Sequence, residues 1–313
     1  MADTPKFIDP EKNTISGAMV SKLSNSAAAV IDSDKLDPKQ RLNLPHDKPI
    51  VMLFGPGNAG KTAILGSLIA YTTNKLSVGK RTIPTRHTFE WTVLHDVAAK
   101  NSSLYKGKTS ELLLKIHRNE KYIGSTNDLF LLNAKFKGRP AFIALEIPGE
   151  YYYSESTKTL CSELFIADLV ERDQKKVYFF IFSPGLFGND PDKMQVYDIA
   201  VAKFIDTRLV RGRDKFSLVY TKVKDDSSKE AGVSELECAI NAFKPGGAFS
   251  KTGDAYRNSP IKGKKIIPYH SGVFTHDAMT NDEVWAPAAA TYAKTLTENL
   301  VDLVRGKPWW KFW

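Results

Sequence analysis

The chain reads as an α/β protein of three layers, a mostly parallel sheet with helices on both faces and a helical insertion. Two observations lead there. Apolar runs of strand length recur at 49–54, 141–146, 177–182, 215–220 and 265–270, bounded by turn residues and separated by stretches with helical periodicity. That alternation belongs to a doubly wound sheet. The junction after the first run is rich in glycine and opens straight into a helical stretch. With 313 residues, 42% of them hydrophobic, the chain can fill the core of one large domain without needing a second.

Residues 1–48 carry much Ser, Ala, Asp and Lys and few large apolar groups, which predicts a polar leader, partly disordered or wrapped on the domain surface. The domain is expected over 49–306. It opens with Pro49-Ile50-Val51-Met52-Leu53-Phe54, suited to a buried parallel strand. Gly55-Pro56-Gly57-Asn58-Ala59-Gly60-Lys61-Thr62 follows, a complete match to the phosphate-binding P-loop pattern. Ile64/Leu68 and Leu65/Ile69 then stack at i, i+4, predicting a helix with one apolar face. Gly55 and Gly60 permit a loop whose amides curl inward, and the helix adds unpaired N–H groups and a positive dipole end. Gly55, Asn58, Ala59, Gly60, Lys61, Thr62 and Ala63 are thus the expected phosphate cradle. Lys61 reaches the β- and γ-phosphates of a nucleoside triphosphate, and the Thr62 hydroxyl ligates Mg²⁺.

Residues 74–123 are expected as an insertion with a helix around Ser110–His117, placed to be a lid or partner-binding switch, or else a plain helical decoration. Leu129–Phe136 is a strand, joined by a turn at Lys137-Gly138-Arg139-Pro140 to the strand from Ala141. That second strand runs Ala141-Phe142-Ile143-Ala144-Leu145-Glu146, followed by Ile147-Pro148-Gly149-Glu150.

An apolar strand ending in an acid, with glycine three positions later, resembles the metal-side and γ-phosphate-sensing loop of Ras-like P-loop GTPases of the TRAFAC class. The resemblance implies the three-layer P-loop NTPase fold. It puts Glu146 on Mg²⁺ through water, with Glu in place of the family's Asp, and the Gly149 amide on the γ-phosphate. Glu150 stands where many members carry the glutamine that orients the attacking water. A carboxylate there either serves as base or water-positioner, or repels the γ-phosphate and leaves hydrolysis slow. The family's threonine that closes over Mg²⁺ and the γ-phosphate corresponds to Thr126, just before the hairpin. Its rival is the threonine-rich stretch Thr82–Thr88, where Arg86 is a candidate internal arginine finger.

Tyr151-Tyr152-Tyr153 leads into an expected helix through Leu160, Leu164 and Leu169-Val170, and Val177–Phe182 is the central strand. Lys215–Tyr220 is another core strand, running into Thr221-Lys222-Val223-Lys224-Asp225. Related GTPases end this strand in Asn/Thr-Lys-x-Asp and read guanine there. Thr221 and Lys222 match, while Asp225 falls one residue late. A small bulge delivers Asp225 to the base, or the base is read differently, or it is not read at all. Lys265–His270 ends at Ser271-Gly272, where the family's last base-contacting loop lies. Tyr292, Leu296, Leu300 and Leu303 form one face of a closing helix.

The net charge of +9 is spread along the chain, clustered only at Lys262, Lys264 and Lys265, and no nucleic-acid module accompanies it. No apolar run approaches a membrane span, and the first residues lack the pattern of a signal peptide. Cys161 and Cys238 have no metal or redox spacing, which predicts reduced thiols and a cytoplasmic protein. Residues 307–313 hold three of the five tryptophans beside lysines, suited equally to a partner's pocket, peripheral contact with an anionic membrane, or folding back on the domain.

The resemblance implies GTP/GDP and Mg²⁺ as cofactors and a molecular switch that hydrolyses GTP slowly and binds a protein partner through 74–123 or the tail. Within the class, Pro148-Gly149-Glu150 and the helical insert resemble the divergent bacterial double-GTPase-type proteins. A pseudo-GTPase that holds nucleotide structurally, or a P-loop ATPase, remains the alternative.

Overall fold

The computed structural model describes residue 44 and residues 47–57, 59–74, 77–78, 81–82, 84–93, 130–146, 153–154, 159–160, 164–209, 212–222, 232–270, 272–277, 282–287 and 290–305. All belong to the compact unit Lys39–Trp313. In chain order the elements are β1 (Ile50–Phe54), α1 (Lys61–Thr72), β2 (Ser77–Val78), β3 (Arg81–Thr82), β4 (Phe89–Val93), β5 (Phe130–Phe136) and β6 (Arg139–Glu146). There follow β7 (Tyr153–Ser154), β8 (Thr159–Leu160), α2 (Leu164–Glu171), β9 (Lys176–Phe182), α3 (Pro191–Arg208), β10 (Lys215–Tyr220) and α4 (Glu235–Ala242). The last are α5 (Ser250–Asn258), β11 (Ile266–Pro268), β12 (Gly272–Asp277), β13 (Asp282–Pro287) and α6 (Ala290–Arg305).

Seven strands form the main sheet in the order β11-β10-β9-β1-β6-β5-β4. β1 pairs in parallel with β6 and β9, and β10 in parallel with β9 and β11. β5 runs antiparallel to both β6 and β4. The connection from β1 to β6 travels one way along the sheet, and those from β6 to β9, β9 to β10 and β10 to β11 travel the other. Right-handed crossovers in opposite directions put α1 on one face and α2 to α5 on the other, which is the three-layer arrangement. α6 packs against α1, and α5 against α3.

Apart from Lys176, which opens β9, the two central strands are apolar because both of their faces are covered, and every residue of β1 and β9 is buried. Between the sheet and α3, Phe54, Tyr178, Phe180 and Phe204 meet with ring centroids 5.3–5.9 Å apart. Such pairs add to the area they bury. Cys238 is buried, as expected, while Cys161 lies outside the described residues.

Several expectations change in detail. α1 was expected to bury one face, yet nearly all its residues are buried, because the sheet, α6 and β4 enclose it. The hairpin turn is two residues rather than four. Lys137 and Gly138 both have positive φ, 51° and 73°, so pairing continues to Phe136 opposite Arg139. That is the turn whose twist matches the flanking strands. Leu160 lies in β8, paired with Tyr153, and the helix expected there begins only at Leu164. The span 74–123, expected as a helical insertion, contributes a strand of the main sheet, β4, where Phe89 and Trp91 turn inward against Phe142. Its expected helix at 110–117 lies outside the described residues, as do the leader up to 43 and the tail 307–313. β12 and β13 form a separate antiparallel ribbon between β11 and α6 that the sequence did not announce. Among the described residues no helix is long and apolar enough to cross a membrane.

Candidate functional site

Five parallel strands, β6, β1, β9, β10 and β11, end at one edge of the sheet, and the sequence motifs leave from that edge. In open α/β sheets this carboxyl edge, where strand order reverses, is where ligands bind. Here the reversal falls at β1.

The P-loop joins β1 to α1. Gly55 suits a crowded position, since a Cβ there would sit 3.1 Å from the Ala59 Cβ and 3.2 Å from the Ile181 Cβ on β9. Gly60 is the residue before α1, with a left-handed φ of 90° that L side chains rarely adopt. It offers no side-chain cap, and the first turn holds no acid. With no acid in that first turn, the helix directs its leading N–H groups and positive dipole end out of the loop, an arrangement suited to holding a phosphate. Lys61 is buried, and its Nζ donates to the carbonyl oxygens of Gly55 at 3.0 Å and Pro56 at 2.9 Å. The ammonium is thus poised at the mouth of the loop. Thr62 lies in the first turn of the helix, as its expected metal role requires.

Glu146 ends β6. With Met52 in register with Leu145, it stands beside the last residues of β1. Phe130, the first residue of β5, pairs with Glu146, so the hairpin opens at the same edge.

Thr221 follows β10 and is fully buried. Its N–H donates to Phe182 O at 2.7 Å, and its hydroxyl lies 3.0 Å from Ala59 O and 3.1 Å from Phe182 O. The expected base loop is therefore moored to the phosphate loop. Lys222 then takes a left-handed φ of 55°, turning the chain sharply out of the strand. Between these two loops, the segment after β9 also departs from ordinary backbone. Phe187, Gly188 and Asn189 are successively left-handed, at 55°, 68° and 65°. At its root the Ser183 hydroxyl is buried and finds no hydrogen-bond partner among the described residues.

The structure thus brings Gly55, Ala59, Gly60, Lys61, Thr62, Ala63, Glu146, Thr221 and Lys222 to one edge. Asn58, Thr126, Gly149, Glu150, Asp225 and Ser271 lie outside the described residues. It does not bring Arg86 there. Phe89 pairs with Phe136, which in turn faces Arg139 at the start of β6, so the segment entering β4 lies at the amino edge of the sheet. Burial first, and then the Arg305 guanidinium, hold the His87 imidazole below its ordinary pKa. Arg305 ends α6, whose last carbonyls, Leu303 and Val304, accept from Lys175 Nζ just before β9. Arg86 as an internal arginine finger is thereby overturned, because β4 runs in the same direction as β6.

Sequence reading missed Tyr269 and Ser67, whose hydroxyls are hydrogen-bonded to each other in the core. Neither belongs to a motif, and a tyrosine ending a strand or a serine inside a helix carries no signal of a partner 202 residues away.

No family model matches the chain, and no curated protein matches it in sequence. Among solved structures it is similar to nucleolar GTP-binding protein 1 of Plasmodium falciparum, at 9% identity and a TM-score of 0.39, over 84% of this chain and 91% of that one. It is similar to Toc33 of Arabidopsis thaliana in complex with GDP and Mg²⁺, at 9% identity and a TM-score of 0.42, over 83% of this chain and 86% of that one. The same protein with Mg²⁺ and GMPPNP gives 10% identity and a TM-score of 0.40 over the same shares. Strand order, crossover direction and the loop between β1 and α1, rather than these likenesses, define a three-layer α/β P-loop fold.

Proposed function

We propose that the chain is a Mg²⁺-dependent guanine-nucleotide-binding switch that hydrolyses GTP slowly and acts with a protein partner. The observation that carries the reading is the phosphate cradle. A glycine-bounded loop, an uncapped helix start and the buried Lys61 ammonium converge at the carboxyl edge of the sheet. The donors fit a triphosphate, whose oxygens would replace the Gly55 and Pro56 carbonyls as acceptors of the Lys61 protons. Thr62, Glu146 and Thr126 would hold Mg²⁺, which supplies neutralisation of charge on the phosphate oxygens. Gly149 would meet the γ-phosphate. The antiparallel β5–β6 hairpin beside β1, opening at Glu146, supports a GTPase over other P-loop proteins. Thr221, Lys222, Asp225 and Ser271 would form the base site. Residues 74–123 and the tail 307–313 are the proposed partner surfaces, in a cytoplasmic protein able to touch a membrane peripherally.

The nucleotide retained through purification, identified by chromatography, is the first test. In calorimetry GTP is expected to outcompete ATP by at least about tenfold, and Asp225→Ala to erase the difference. Equal binding of both by the native chain would point instead to a structural nucleotide without base reading.

Hydrolysis is tested by Glu150→Gln in a single-turnover assay. A carboxylate beside the γ-phosphate is expected to slow turnover by repulsion, so the amide should leave the rate unchanged or raise it. A large loss of rate would make Glu150 the general base instead.

A further inference from the structure

We propose that Tyr269 is a positioning residue: by its bond to Ser67 it holds the base side of the nucleotide site in register with the phosphate-binding helix, and so sets discrimination between bases. The inference rests on the guanine-nucleotide reading above and deepens it.

Ser67 lies in α1, the helix that begins with Lys61, and Tyr269 directly follows β11. Both are buried. The single Ser67 hydroxyl proton is directed at Ile64 O, 2.9 Å away, so the Tyr269 phenol is the donor in the bond between them. Burial pushes the phenol pKa well up, keeping it a neutral donor. Tyr269 is also held by its backbone, its N–H donating at 2.8 Å to Tyr220 O, the residue before Thr221.

These bonds close a circuit. From Ala59 O in the phosphate loop it passes to the Thr221 hydroxyl, along the chain to Tyr220 O, across to the Tyr269 N–H, and through the phenol to Ser67 in α1. The ends of β10 and β11 are thus tied to the phosphate unit at two separate points. One tie fixes a distance and leaves a rotation, whereas two fix the orientation as well. The second is the Tyr269 bond. His270 follows it directly in the chain, and of the residues in the circuit only Ala59 belongs to the phosphate cradle, with Ser67 on the helix that the cradle opens.

The test is calorimetry with GTP, ATP and inorganic tripolyphosphate, each with Mg²⁺, on the full chain and on Tyr269→Phe, Ser67→Ala and Tyr292→Phe. Tyr269→Phe keeps the ring, which packs 6.1 Å from Tyr292, and removes only the hydroxyl. Tyr292→Phe is the control, since it removes a tyrosine hydroxyl bond that lies outside the circuit, the 2.5 Å contact to Glu235 on α4. The GTP-to-ATP affinity ratio is expected to fall roughly tenfold in Tyr269→Phe and in Ser67→Ala, with tripolyphosphate affinity unchanged. Tyr292→Phe should keep the native ratio. A native preference for GTP that Tyr269→Phe retains overturns this inference alone, as does an equal loss for all three ligands or an equal fall in the control. A native chain that binds tripolyphosphate but treats GTP and ATP alike overturns the guanine reading and the inference with it.

Discussion

Lys61→Ala is expected to lower triphosphate affinity by roughly 100-fold or more while the chain stays folded. In the proposed site Lys61 would be the loop's cation on the β- and γ-phosphates, and each hydrogen bond from a charged donor is worth about 1.5–3 kcal/mol. Two such bonds, matching the two carbonyls Nζ now reaches, amount to about 3–6 kcal/mol, and each 1.4 kcal/mol is about tenfold in affinity. The fold should tolerate the change, because alanine is the best helix former and the α1 core contacts come from Ile64, Leu65, Leu68 and Ile69. Calorimetry with Mg²⁺ and a thermal melt read the two halves separately. Undiminished affinity in a folded variant would remove the phosphate-site assignment, whereas a melted variant would show Lys61 to be structural.

Gly253→Ala should give the largest loss of stability by a single methyl group. Gly253 lies in α5 where that helix crosses the end of α4, and a Cβ there would fall 1.8 Å from the Phe243 carbonyl oxygen and 2.7 Å from its carbon. Neither is the flexible end of a side chain. The Phe243 carbonyl accepts from Arg257 Nη1 at 2.9 Å, and the Phe243 ring packs on Phe182 and Phe249 at 5.1 and 5.8 Å. The start of α5 is meanwhile pinned by Asp198 of α3, whose carboxylate accepts the N–H groups of Lys251 and Thr252 at 3.0 and 2.8 Å. The helix is held on both sides and cannot slide away cheaply. Overpacking of this severity costs about 3 kcal/mol or more, and in a domain of this size that lowers the melting temperature by about 6–12 °C. Gly57→Ala is the contrast, since a Cβ there meets nothing within 4 Å and the melt should barely move. Equal melts for the two variants would contradict the close approach of α5 to the Phe243 carbonyl.

Much of this molecule is legible in its sequence. The loop from Gly55 to Thr62 announces itself because phosphate binding demands glycines, a lysine and a hydroxyl at set spacing beside a strand and a helix. Lys215–Tyr220 was legible to the residue, and Val177–Phe182 to within one, since a strand covered on both faces is a short unbroken apolar run between turns. The hairpin around Lys137-Gly138 was found for similar reasons, and only the length of its turn was misjudged. Periodicity says that residues share a face, however, and not what covers it. So α1, read as an amphipathic helix, proved enclosed on nearly every side.

What the sequence by itself determined, then, is local: the strands, the phosphate loop and the order in which they come. Only the tertiary structure decided the rest. The direction of β4 sends Arg86 to the edge opposite Lys61, and the neighbouring ends of β1, β9, β10 and β11 bring Thr221 to Ala59 and Tyr269 to Ser67. The physical reason is that a hydrogen bond or a steric limit between distant residues depends on which strands lie side by side and which way they run. That information resides in the packing of whole elements and leaves no period or spacing around either partner.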